Sequence, residues 1–132
     1  MPRKLEHVVV HHSASPLRTT LREIDKWHRA RGFDGVGYNY VIEEDGRIQY
    51  GRTLFKPGAH TLGHNRDSVG ICVVGNNLDP EQSWTEAQEE SLKELVRALR
   101  MIFPGLSVAG HRDMMPEGYT ECPGIDVRRL RG

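Results

Sequence analysis

The chain has 132 residues, enough for one compact domain with its own hydrophobic core and no need of disulfide staples. Apolar residues make up 37% and charged residues 27%, which excludes a disordered chain, and 18 basic residues balance 18 acidic ones, so no net field draws it to nucleic acid. No apolar run is long enough to span a bilayer, the start lacks a signal-peptide core, and Cys72 and Cys122 do not make a disulfide framework, so a protein kept in the cytoplasm as made is expected.

In chain order, the β-branched run from Leu5 to His11 reads as a strand. Period two places His7, Val9 and His11 on one face and Val8, Val10 and His12 on the other. Thr20-Leu21-Arg22-Glu23 is a capping box, and Leu21, Ile24, Trp27 and His28 follow at helical spacing, which sets Trp27 in the core and His28 behind the site. The helix is expected to stop near Gly32. Val36 to Glu43 predicts a strand, Asp45-Gly46 a hairpin turn, and Arg47 to Arg52 the returning strand. Thr53 to Asp67 predicts a long loop carrying His60 and His64, with His64 at the surface. Ser68 to Gly75 predicts a buried central strand, with Cys72 as a structural hydrophobe. Thr85 to Gln88 is a second capping box, followed by the apolar stripe Leu92, Leu95, Val96, Leu99 and Ile102. Leu106 to Ala109 predicts a short strand that delivers His111, and the tail from Ile125 to Leu130 predicts one or two helical turns. This alternation predicts an α/β fold: residues 1–132 as one domain, with a central mixed β-sheet flanked by helices.

His11 ends the first strand, His111 follows the last, and Cys122 lies in the next loop. If those strands are neighbours, the three side chains can meet and hold zinc, leaving a fourth position for water. Zinc lowers the pKa of such a water to about 7. The spacing alone leaves open the plainer reading of two strand-end histidines and a small buried cysteine.

A colinear set of words adds to this. Val10-His11-His12-Ser13-Ala14, Trp27-His28, Gly35 to Ile42, Asp45-Gly46, Gly51-Arg52 and Gly58-Ala59-His60 occur in that order. Asn65, Ser68-Val69-Gly70-Ile71, Gly75-Asn76, Thr85-x-x-Gln88, Gly110-His111-Arg112-Asp113 and Cys122-Pro123-Gly124 follow. The chain, from about Val8 to Leu130, resembles the zinc-dependent N-acetylmuramoyl-L-alanine amidases of the phage T7 lysozyme and peptidoglycan-recognition-protein family.

The resemblance implies a T7-lysozyme-like fold and hydrolysis of the amide bond between N-acetylmuramic acid and L-alanine in peptidoglycan. It implies zinc as cofactor, with His11, His111 and Cys122 as ligands. Tyr38 matches the active-site tyrosine that positions or activates the water, and Thr120 matches a position that stabilises charge on the carbonyl oxygen. His60 matches a position lining the substrate groove. The chain departs from the T7 enzyme at His12, where that enzyme has cysteine, at Thr120, where it has lysine, and in a longer loop from Met114 to Tyr119. A thiolate ligand donates more charge to zinc than imidazole does, so a helper such as Tyr38 is expected. Asp113 and Glu121 near the site read either as bases or as solvent-facing ions.

Small size, a lone catalytic domain and no signal peptide fit a phage or prophage endolysin, expected as a monomer that reaches the cell wall after release. The rival is a non-catalytic peptidoglycan-binding module. Such relatives typically lack the cysteine ligand, which is present here as Cys122.

Overall fold

The computed structural model describes residues 3–131. Seven regular elements run along the chain: β1 (His7–His12), α1 (Leu21–Ala30), β2 (Tyr40–Ile42), β3 (Ile48–Tyr50), β4 (Ser68–Val73), α2 (Glu86–Ile102) and β5 (Ser107–Gly110). Short 3-10 turns follow at His111–Met114 and Arg128–Arg131. The strands form a mixed sheet in the order β3-β2-β4-β1-β5, with β3 antiparallel to β2 and the other pairings parallel.

The apolar runs in β1 and β4 are buried on both faces because a helix covers each side of the sheet. Val8, Val10, Ile71 and Val108 pack with Leu92, Leu95, Val96 and Leu99 of α2. Ile24 of α1 packs with Val41, Cys72 and Val74 on the opposite face. Burying one such side chain is worth about 1.5–3 kcal/mol. Both capping boxes form. Gln88 also reaches the sheet, where its Nε2 donates to the carbonyls of Val74 at 2.7 Å and Ile42 at 3.2 Å.

Three expectations need correction. Trp27 is 44% exposed, because the buried stripe of α1 narrows to Ile24 and His28. Ile102, the last residue of α2, is 67% exposed. β2 is shorter than the run from Val36 to Glu43 because the chain before it bonds elsewhere. Gly37 O accepts from Ala59 N at 2.9 Å and Tyr38 O from Arg52 N at 2.7 Å, so these residues hold the long loop against the sheet. Among the described residues no helix is long and apolar enough to cross a membrane.

Candidate metal centre

β1 and β5 are parallel neighbours, with Val10 opposite Gly110. His11 and His111 are therefore the next residues at the same end of the sheet, and their rings lie 4.6 Å apart between centroids. Cys122 is folded back onto this end by backbone bonds. Arg112 N donates to Cys122 O at 2.8 Å, and His12 N donates to Cys122 Sγ at 3.3 Å. Gly110 permits this closeness: a Cβ there would sit 2.6 Å from Pro123 Cδ. One ligand atom each from His11, His111 and Cys122 lies within 4.8 Å of the others, and Cys122 Sγ is 3.8 Å from His11 Nδ1.

The electrostatics suit a cation with soft and borderline donors. His11 is 2% exposed, and burial, then the neighbouring His60, His111 and His12, hold its pKa well below the usual histidine value. Burial also lowers His111. Both rings are thus neutral and carry a free lone pair. Burial pushes the Cys122 thiol up to about 12, so a cation must take the place of its proton for the thiolate to form. Two neutral imidazoles and a thiol that converge in this way fit a three-ligand zinc site.

His11 is held from behind. Its Nε2 lies 2.9 Å from His60 Nδ1 and 3.2 Å from Thr61 Oγ1, which turns Nδ1 toward Cys122. Burial, then the charges of His111, Arg3 and Arg52, lower His60 to about 3, so its ring is neutral. Its Nε2 faces Ser68 Oγ at 3.4 Å. The structure places His60 beneath His11, with both ring nitrogens turned to protein groups. Asn65 Oδ1 fixes the loop by accepting from the N–H groups of His60 at 2.9 Å and Thr61 at 2.8 Å. Thr61 gave no signal in the sequence, because its part depends on where the long loop lies.

Tyr38 packs beside His11, with ring centroids 5.1 Å apart and the rings tilted by 55°. Burial, then the nearby Cys72 and Cys122, raise its pKa well above 10, so the phenol keeps its proton. Cys72, one of the groups that raise this pKa, lies beside His11 in the sheet register. His28 packs against Tyr38, and its Nδ1 accepts from Gly37 N at 2.8 Å. Thr120 Oγ1 accepts from Cys122 N at 3.1 Å. His12 Nδ1 accepts from Asn77 N at 3.2 Å, away from the three ligands. Asp113 caps the turn after β5 by accepting from Gly110 N at 2.8 Å, and Glu121 is exposed. His64 is half-buried beside His7 and Asp67 rather than free at the surface.

Known proteins resemble this chain in sequence and fold. The endolysin of Klebsiella phage KP32 is 33% identical over 132 residues, covering 96% of this chain and 85% of that protein. The N-acetylmuramoyl-L-alanine amidase LysC from Clostridium intestinale superposes with a TM-score of 0.83 at 32% identity, covering 95% of this chain and 80% of that one. The ectodomain complex of peptidoglycan recognition proteins LCa and LCx, solved with tracheal cytotoxin bound, matches with a TM-score of 0.82 at 27% identity, covering 97% and 81%. The family model described as N-acetylmuramoyl-L-alanine amidase matches residues 1–125, and the chain belongs to that family.

Proposed function

We propose that this protein hydrolyses the amide bond between the lactyl group of N-acetylmuramic acid and the L-alanine of the peptidoglycan stem peptide, with zinc held by His11, His111 and Cys122. The observation that carries the reading is the convergence of two neutral imidazoles and a buried thiol at one end of the sheet. Zinc bound there supplies Lewis acidity, polarising the scissile carbonyl and lowering the pKa of a water.

The chain's own groups do the rest. His60 and Thr61 orient His11 through its Nε2. Thr120 uses a lone pair to accept from Cys122 N, which leaves its O–H free to donate to the oxygen that gains charge. Tyr38, kept protonated by burial, is a hydrogen-bond donor that relays to the departing L-alanine amine the proton given up by the attacking water. Residues 1–132 act as one catalytic unit on the cell wall after release, in the manner of the phage endolysins it resembles. Cys122 favours this enzyme over a binding module.

Product chemistry tests the reading. Digestion of purified peptidoglycan is expected to release new L-alanine amino termini. New reducing sugar ends in their place would mean glycoside cleavage and overturn it.

A further inference from the structure

We propose that His7, His64 and Asp67 form a second metal site, suited to zinc, at the opposite end of β1 from the candidate centre. His7 opens β1 and His11 lies four residues on, about 13 Å along the strand. The backbone brings the three residues together. Glu6 N and His7 N both donate to Asp67 O, at 2.7 and 3.1 Å, and Ser68 Oγ donates to His64 O at 2.6 Å. One ligand atom from each lies within 4.8 Å of the others.

The individual distances resemble a coordination shell more than a hydrogen-bonded cluster. His64 Nδ1 and Asp67 Oδ1 are 3.5 Å apart, and both are shielded from water without a hydrogen-bond partner. Such orphaned atoms are costly, and buried polar groups are nearly always satisfied. Two ligand atoms on a tetrahedral zinc, each 2.0–2.2 Å from it, stand about 3.3–3.5 Å apart. His7 Nε2 is 4.0 Å from Asp67 Oδ2, so it closes the set with a small shift. His7 Nδ1 lies 2.6 Å from Ser107 Oγ, and metal-binding histidines are commonly held in this way through the second ring nitrogen. The nearby Arg3 directs Nε and Nη1 to the carbonyls of Leu54, Asn65 and Ser68, while its Nη2 is buried without a partner and its charge acts on Asp67.

Two imidazoles and a carboxylate suit zinc. The metal would tie the start of β1 to the loop that also carries His60 and Thr61. Its role is therefore structural, and it does not rest on the catalytic reading.

Zinc titration of metal-free protein by calorimetry tests the proposal. The native chain is expected to take up two equivalents. His64→Ala and Asp67→Asn are each expected to take up one, and in both that zinc is lost on adding Cys122→Ser. In Cys122→Ser alone, zinc is expected to raise the melting temperature by roughly 5 °C, an effect that His64→Ala removes. Uptake of one equivalent by the native chain that His64→Ala leaves unchanged, or of two by His64→Ala, would overturn the second site. Loss of zinc from the Cys122 centre alone would leave it standing.

Discussion

His11 Nε2 and His60 Nδ1 lie 2.9 Å apart, so a histidine near the end of β1 is oriented by one from a loop 49 residues away. With Nε2 engaged, Nδ1 is the nitrogen left for a metal. Groups that hold a ligand in this way typically change metal affinity 10–100-fold when removed. His60→Ala is therefore expected to weaken zinc binding by about that factor while the fold survives. Zinc affinity equal to that of the native protein would remove His60 from the positioning role.

The space under His60 is provided by Gly70 of β4. A Cβ at residue 70 would meet the His60 ring at 2.5–2.7 Å. Gly70→Ala is expected to cost about 1–3 kcal/mol of stability by overpacking and to weaken zinc binding. Combining it with His60→Ala, which empties the space, is expected to cost less than the sum of the two. Strict additivity in urea unfolding would show that the two residues do not share this contact.

Tyr38→Phe keeps the ring beside His11 and His28 and removes only the hydroxyl. A proton donor of this kind contributes about 10²–10⁴-fold, so kcat is expected to fall within that range. KM and zinc content are expected to stay near native values. An unchanged kcat would assign Tyr38 to packing alone.

His28 gives a pH signature. Burial, then the charges of Arg31 and Arg52, hold its pKa below the usual histidine value, and its neutral Nδ1 accepts from Gly37 N. As pH falls, the unfolded chain takes up this proton first, near pH 6.5. The contribution of His28 is therefore complete above about pH 6.5 and is lost as pH falls through the folded value. The melting temperature of native protein is expected to drop more steeply between pH 7.5 and 5 than that of His28→Asn, which keeps an acceptor without the titration. Parallel curves would contradict the assignment.

How much of this was legible in the sequence varies by residue. The apolar runs that end at His11 and precede His111 mark both histidines as strand-end groups, and the sheet makes those strands neighbours. Cys122 was a weaker signal, because its approach depends on backbone bonds from His12 and Arg112 that no local pattern encodes. The sequence placed His60 in a functional loop, but its position under His11 is set by Gly70 and Asn65, which come later in the chain. Helical spacing put Trp27 and Ile102 on apolar stripes, yet spacing does not tell how wide a stripe the sheet covers.

In the proposed function, zinc at His11, His111 and Cys122 drives cleavage of the muramoyl–alanine bond. The most direct measurement is the rate at which L-alanine amino termini appear from purified peptidoglycan, with native protein and Cys122→Ser each stripped of metal and then resupplied with zinc. The native protein is expected to be silent when stripped and active with zinc, while Cys122→Ser stays silent in both states and keeps its folded circular dichroism spectrum. Full activity of the stripped protein, or of Cys122→Ser, would contradict the account.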